Sequence, residues 1–593
     1  MEDDNLMKED HLASSSSSSS TSSFFPIKAH LAWNGQVYQT QTFDTVSSDH
    51  HQQQQQQQPD FQDTWEADIA DTHLVGRTVV QAAIQEVYHE ITTRATSSSS
   101  SSKTLASRLH RQLAQKLSTV LVNAEYAMCI VVEEEHPTND VYIYYARDTL
   151  GRRSLLQWEP SSTTLQSNPE TTTSTSTTHF HGLQWQLASV ATPIQVSFES
   201  TNDTTENNNN SNRLSLLLKG WTEVPPGRLF CYHTRTRQTT SLAVTCTTTT
   251  TMSVPDHLPN ALDIAAASEF LYDLLLQAVQ RRVGIQQYPS DATFTSKEEF
   301  PATSQSVNVL FSGGLDSVVL AALVLQVQSS VTLINVSFVE DDGLDSSETQ
   351  RSVSNTLTTK AADTLAAQAS YQELCTLYPQ RIIRFVQAQH TWAEIVNVQS
   401  SIDFQALLYP QTSVMDINIA TALWFAAQAV PKSTDDTLDG SIPIRINRIL
   451  LSGLGADEQM GGYGRHRKAW QTGGDEQLRK ELDMDMNRLW QRNLGRDDRV
   501  LSDASKEARF PFLDPHVVQF LKTLPMDCIC DFSLPNGQGD KRILRLVAQR
   551  LGLESASVAV KRAIQFGSRI AHVSDKKRFG SRRKATGQAN SCI

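Results

Sequence analysis

The apolar run Val307-Asn308-Val309-Leu310-Phe311 breaks into Ser312-Gly313-Gly314-Leu315-Asp316-Ser317 and resumes as Val318-Val319-Leu320-Ala321-Ala322-Leu323, which leaves few folds open to this chain. An apolar run this short, ended by Ser-Gly-Gly, reads as a buried strand, and the apolar stretch behind it reads as a helix. Strand, glycine loop and helix together form a cradle for phosphate. The two glycines let the backbone approach a ligand and turn its N–H groups inward, and the helix N-terminus adds positive potential. Ser312 and Ser317 are donors to phosphate oxygens. Asp316 cannot face phosphate unaided and implies a bridging Mg²⁺. The Gly-Lys-Ser/Thr ending of the commoner phosphate loop is absent.

An alternating pattern surrounds this loop. Helical periodicity runs over 262–283, strands are expected over 307–311, 331–339, 381–387 and 446–451, and helices over 318–328 and near 361–377. Alternation of this kind predicts a doubly wound parallel sheet with its ligand at the carboxyl ends of the strands. The second such end carries Leu451-Ser452-Gly453-Leu454-Gly455-Ala456-Asp457-Glu458-Gln459-Met460-Gly461-Gly462-Tyr463. Small residues let this backbone close on a ligand. Asp316 and Asp457, each just past a strand, pair as candidate Mg²⁺ ligands for a pyrophosphate. Taken alone, Asp457 reads equally well as a helix N-cap.

Length and composition frame the rest. With 593 residues the chain exceeds one hydrophobic core. Its formal charge of -13 argues against general nucleic-acid binding. Seven scattered cysteines form no zinc pattern and suit a reducing compartment. An acidic, Ser-rich start unlike a leader, with no long apolar run, places the expectation in the cytoplasm, away from membranes. Ser, Gln, Thr and Asn tracts interrupt the first 250 residues and read as disordered insertions. Between them lie strand-like runs over 127–132, 141–145, 214–218 and 228–232. The expected layout is a disordered 1–24, a sheet-rich α+β domain over 25–255, an ATP-binding α/β domain over 256–572 and a basic mobile tail over 573–593.

Several ordered motifs carry a resemblance over roughly 262–570. They are the Ser312–Ser317 loop, Ser452-Gly453-Leu454-Gly455-Ala456-Asp457-Glu458 with Gly461-Gly462-Tyr463, Asp498-Arg499 leading to Glu507-Ala508-Arg509-Phe510-Pro511-Phe512-Leu513-Asp514, and Lys541 before Leu544-Arg545. This half resembles the synthetase domain of the asparagine synthetase B-type family, including its β-lactam synthetase relatives. The segments 492–500 and 561–570 resemble the asparagine synthetase domain-containing protein 1 branch. The resemblance implies a PP-loop ATP-pyrophosphatase fold, like that of the adenine nucleotide α-hydrolases. It implies ATP and Mg²⁺ as cofactors, with Asp316 and Asp457 on the metal. It also implies Lys541 on phosphate in the catalytic role, and Ser312, Gly313, Gly314, Ser317, Val336, Ser452 and Gly453 around the nucleotide. The implied chemistry is asparagine-biosynthetic ligation, in which ATP is cleaved to AMP and pyrophosphate to activate an aspartate-like carboxylate for ammonia.

More faintly, the first half resembles the family's class II glutamine amidotransferase domain, of Ntn type. Trp33-Asn34-Gly35-Gln36-Val37-Tyr38 is similar to its oxyanion-hole segment, 147–153 to its Arg-Asp-Pro-Leu-Gly-x-Arg, and Glu223-Val224-Pro225-Pro226-Gly227 to its Pro-Pro-Gly turn.

Each half departs from its pattern once. The amidotransferase needs an N-terminal Cys whose amine is its base, and the first cysteine here is Cys129, inside an apolar run. The domain is therefore expected to be degraded, with Asn34 and Gly35 as structure. In the other half Leu454 stands where asparagine synthetases carry Glu. Losing a general base costs about 10²–10⁴-fold, yet nucleotide binding and adenylation use other residues. Two functions follow: a ligase using free ammonia, or an ATP-binding pseudoenzyme that acts on a protein partner. The basic segment 561–569 is expected to fold back on the domain, with Phe566 packed and one of Lys561, Arg562 or Arg569 facing the ATP crevice.

Overall fold

The computed structural model describes residues 27–36, 83, 102–120, 124–134, 140–158, 186–188, 221–244, 264–283, 307–339, 361–429 and 448–574. The expected strand at 214–218, the tail beyond 574 and the low-complexity tracts lie outside them, apart from Ser102. The chain divides into two compact units. One comprises Met1–Arg153 with Val224–Pro255, the other Ser154–Glu223 with Asp256–Ile593. Residues 154–223, assigned from sequence to the first domain, group with the second unit.

Among the described residues eight strands precede residue 256: β1 (Ile27–Gln36), β2 (Glu125–Glu134), β3 (Val141–Arg147), β4 (Leu156–Trp158), β5 (Gln186–Ala188), β6 (Trp221–Glu223), β7 (Arg228–His233) and β8 (Gln238–Ala243). The first unit pairs β1, β2, β3, β7 and β8, in that order, as an antiparallel sheet. Tyr126, Met128, Ile130 and Val132 alternate inward along β2 and meet Leu109, Leu113 and Leu117 of the helix Ser102–Val120. Strand period two meets helix period four at one core. Asn34 and Gly35 lie in β1, in register with Ala127 and Tyr126 of β2.

In the second unit a small antiparallel sheet orders β5-β4-β6. The main sheet follows, from β9 (Val307–Leu310), β10 (Ser330–Val339), β11 (Ile382–Thr391), β12 (Ile449–Leu451) and β13 (Glu507–Arg509). Every pairing in it is parallel, in the order β11-β10-β9-β12-β13. The chain builds outward from β9 to β11, then returns to the other flank of β9 for β12 and β13. This reversal leaves a crevice beyond the carboxyl ends of β9 and β12, where open α/β sheets bind ligands. β10 is buried on both faces from Val331 to Phe338. Two buried amides are satisfied inside the sheet. Asn308 Nδ2 donates to the Ile449 carbonyl at 3.0 Å and Asn335 Nδ2 to the Phe311 carbonyl at 3.0 Å. The helix Leu315–Val327 is buried along nearly its whole length, as expected for the element behind the glycine loop.

The motif Phe510-Pro511-Phe512-Leu513-Asp514 is structural. Buried Asp514 pairs with Arg281 at 2.9 Å and Arg282 at 2.7 Å, both from the helix Ile264–Val283. It also caps the helix Pro515–Thr523 through the His516 amide. Burial alone would raise its pKa, but the two guanidinium groups hold the carboxyl well below the usual range. Arg499 of the Asp498-Arg499 motif reaches Glu223 Oε1 at 2.7 Å and Ser154 Oγ at 2.9 Å, tying 154–223 into this unit.

Candidate active site

The loops after β9 and β12 meet at the crevice. Gly313 has φ +74°, and a Cβ there would lie 2.3 Å from the backbone of Ala366 and Ala367. Its missing side chain thus permits close packing against the helix Ala362–Leu377. Ser312 Oγ accepts from the Gly314 amide at 3.3 Å, and Ser317 Oγ donates to the Gly314 carbonyl at 3.0 Å. Both hydroxyls also line a cavity of about 440 Å³, together with Asp316, Val336, Ser452 and Gly453. Gly453 brings the second loop against the first, since a Cβ on it would sit 3.0 Å from the Asp316 Cβ.

Asp316 and Asp457 flank one ammonium. Lys541 Nζ donates to Asp316 Oδ1 and Oδ2 at 2.6 and 2.7 Å and lies 2.6 Å from Asp457 Oδ1. Lys561, its side chain about a third exposed, places Nζ 2.5 Å from Asp457 Oδ2. Burial works to raise the Asp457 pKa, but the two lysines reverse this and hold the carboxyl ionised far below its ordinary range. Burial likewise works to lower Lys561, and Asp457 and Asp316 raise it instead. Gly462 is required against this pair, because a Cβ there would meet Asp457 Oδ1 at 1.8 Å.

Arg545 positions both lysines. It binds the Asp540 carboxylate and carbonyl on one side, and the Ser557 and Ala559 carbonyls at 2.8 and 3.1 Å on the other. It therefore joins the turn that carries Lys541, which has a left-handed φ of 52°, to the strap that leads into Lys561. Of the basic segment, Lys561 and Arg562 line the cavity. Phe566, expected to be packed, is instead 49% exposed. The short helix Ile564–Gly567 presents Gly567 inward, where a Cβ would meet the Asp363 carboxylate at 1.9 Å. Burial there drives the Asp363 carboxyl up to about 7 against the opposing influence of Lys561 and Arg562.

Glu458 is a brace. Its Oε2 accepts from the Gly455 amide at 3.0 Å and its Oε1 from Tyr463 Oη at 2.5 Å. Burial and neighbouring Asp457 push its pKa up to about 6. Leu454 lines the cavity beside it with no group able to take a proton. Cys129 lies in β2, and burial raises its thiol to about 11, the state of an unreactive cysteine.

The donor set suits Mg²⁺. This ion takes one or two protein carboxylates and completes its octahedron with phosphate oxygens and water. Here two adjacent carboxylates face the cavity, and the buried Asp457 Oδ1 is in an ion pair without hydrogen-bond geometry. Among the described residues no cluster of three or more His, Cys, Asp or Glu groups could hold a metal alone.

Sequence reasoning missed Asp363, the Tyr463 brace and the arginines at 465, 488, 492 and 496 that line the cavity. Arg492 and Arg496 fall in a segment singled out only for its resemblance, and the spacing of the others carries no motif.

Comparison with known proteins agrees with this geometry. Residues 302–573 match the family model of asparagine synthase. Asparagine synthetase domain-containing protein 1 of Gallus gallus is 37% identical over 328 residues, covering 50% of this chain and 51% of the relative. That of Homo sapiens is 36% identical over 329 residues, 50% of each chain. An asparagine synthetase domain-containing protein of Saccharomyces cerevisiae is 32% identical over 323 residues, 53% of this chain and 54% of the relative. The chain spans about half the length of the curated relatives it matches. No helix among the described residues is long and apolar enough to cross a membrane. Residues 302–573 are therefore an asparagine synthase domain, with the ATP-pyrophosphatase fold that such a domain implies.

Proposed function

We propose that this domain is an AMP-forming, ATP-dependent amidoligase that activates a small carboxylate and transfers it to free ammonia. The observation that carries the reading is the ammonium of Lys541 between Asp316 and Asp457, at the switch point of the parallel sheet. Asp316 and Asp457 would hold Mg²⁺, which supplies charge neutralisation on the departing pyrophosphate. Lys541 fixes both carboxylates, and Lys561 and Arg562 add positive charge to the cavity wall. Ser312 and Ser317 stiffen the loop whose amides face the phosphates, so little reorganisation accompanies bond breaking. The substrate carboxylate oxygen attacks the α-phosphorus and pyrophosphate leaves. Ammonia then attacks the acyl carbon, the AMP phosphate oxygen leaves with the bonding pair, and the nitrogen loses a proton. Leu454 cannot take that proton, and Glu458 has both oxygens engaged, so the proton passes to solvent or phosphate.

The test is carboxylate-dependent exchange of pyrophosphate into ATP by the full chain. Exchange with an aspartate-like acid, lost in Asp316→Ala, supports the reading. No exchange with any amino-acid or keto-acid carboxylate overturns it. Leu454 favours a second reading, a nucleotide-binding pseudoenzyme that works through a protein partner. Tight ATP binding without turnover, with a reproducible partner, would select it.

A further inference from the structure

Both carboxylate oxygens of Asp457 face ammonium groups. Lys541 Nζ lies 2.6 Å from Oδ1 and Lys561 Nζ 2.5 Å from Oδ2. The two lysines are held very differently. Lys541 is buried, its ammonium bridges Asp316 and Asp457, and its backbone amide donates to the Met460 carbonyl at 2.9 Å. Lys561 sits on a strap that is anchored on either side of it. Arg545 holds the Ser557 and Ala559 carbonyls before it, and behind it the Ser568 carbonyl accepts from the Phe338 amide at 2.9 Å. Between these anchors Val560 and Arg562, the neighbours of Lys561, are exposed, so little packing fixes this stretch. There the ion pair with Asp457 ties the strap to the loop after β12.

A divalent cation held by Asp316 and Asp457 needs a carboxylate oxygen, since Mg²⁺ binds proteins through one or two carboxylates. One oxygen cannot serve metal and ammonium at full strength, because two cations a few ångströms apart repel. Lys541 cannot leave without removing the link between the two loops. Lys561 can. It carries a compact charge on a flexible stem, and its partly exposed side chain has water within reach to replace the carboxylate. We propose that Lys561 is a built-in competitor for the metal. Its ammonium occupies Asp457 Oδ2 and is released when a divalent cation binds there, which frees the strap. The inference rests on the reading of Asp316 and Asp457 as metal ligands. It adds that cation entry and release of the strap are one event, so the strap loosens only for a cation that displaces the lysine.

The experiment measures equilibrium binding of Mn²⁺ alone to the full chain, by the loss of the free ion's paramagnetic resonance signal. Mn²⁺ shares the oxygen-ligand preference of Mg²⁺. Lys561→Met keeps the stem and removes the charge. It should bind Mn²⁺ about 10- to 100-fold more tightly than the native chain, because no charge-assisted hydrogen bond has to break first. Lys561→Arg keeps a cation against Asp457 and should stay near native, which separates competition from a folding effect. Trypsin cleavage after Arg562, followed by mass spectrometry, reads the strap. Mn²⁺ should speed this cut in the native chain and leave Lys561→Met, already fast, unchanged. A Lys561→Met affinity equal to or weaker than native would overturn the proposal. So would a native cut indifferent to Mn²⁺, or no Mn²⁺ binding by either chain. Asp457→Asn separates this inference from the reading it rests on. Binding that needs Asp457 but ignores Lys561→Met removes the competitor and keeps the metal site. Binding that survives Asp457→Asn removes both.

Discussion

Two groups of residues that line the cavity handle charge in opposite ways. At the nucleotide end the central charges are already paired: Asp316 and Asp457 hold Lys541, Asp457 also holds Lys561, and Glu458 braces Gly455 and Tyr463. On the helix Gly464–Leu489 and the turn after it, Arg465, Arg488 and Arg496 are bound to aspartates, while Arg492 has no described partner. The first arrangement suits a ligand whose charge the same loops must meet in the same way at every turnover, because preorganised groups cost nothing to reorient. The second leaves one guanidinium of the lining, that of Arg492, without a counter-ion among the described residues.

If the nucleotide end depends on its paired charges, Asp316→Ala should have the largest effect. It should lower pyrophosphate exchange by about 10²–10³-fold, equivalent to several kcal/mol of transition-state stabilisation, with little change in melting temperature. A drop of less than tenfold would break the comparison. Lys541→Met should cost about 3–5 kcal/mol of folding stability, because the buried Asp457 and the partly buried Asp316 lose their shared cation. Its pH signature follows from the depressed pKa of Asp457. In the native chain this contribution is full above the unfolded value of about 3.9 and is lost as pH falls through the folded pKa. Urea melts across pH 3–7 should therefore show a steeper acid limb in the native chain than in Lys541→Met.

Gly313→Ala should cost about 2–3 kcal/mol, since both its positive φ and the Ala366 backbone oppose a Cβ. Equilibrium unfolding would check this, and a neutral result would return the glycine to ligand approach. Asp363 has the opposite sign to Asp457. Its folded pKa is raised to about 7, so its contribution is full below about 3.9 and is lost as pH rises through about 7. Asp363→Asn should flatten that decline, by on the order of 2 kcal/mol between pH 4 and 8. The smallest effect belongs to Phe566→Ser, expected within about 0.5 kcal/mol because the ring is half exposed. A large loss would show that the strap is held by this residue as well as by Gly567 and Lys561.

Much of the second unit was legible because its signals are local. Four strands of the parallel sheet, β9 to β12, were expected from their sequence runs, as were the helices around 262–283, 318–328 and 361–377, whereas β13 (Glu507–Arg509) has no apolar run and was not. Boundaries moved by a few residues, as for β11, expected over 381–387 and observed over Ile382–Thr391. The grouping of 154–223 was not legible. It depends on Arg499 reaching Glu223 and Ser154 across hundreds of residues, and no pattern in one segment reports a partner so distant.

What the sequence determined by itself is the strand–loop–helix cradle and its partner loop, since short-range sterics and apolar periodicity leave Ser312–Ser317 and Ser452–Asp457 little choice of local conformation. Only the tertiary structure decided which charges meet. Lys541 stands between carboxylates that lie 225 and 84 positions earlier in the chain, and Gly313 packs against the helix Ala362–Leu377. Each outcome depends on distances between elements, set by packing of the whole sheet and its helices, and one-dimensional spacing carries no record of them.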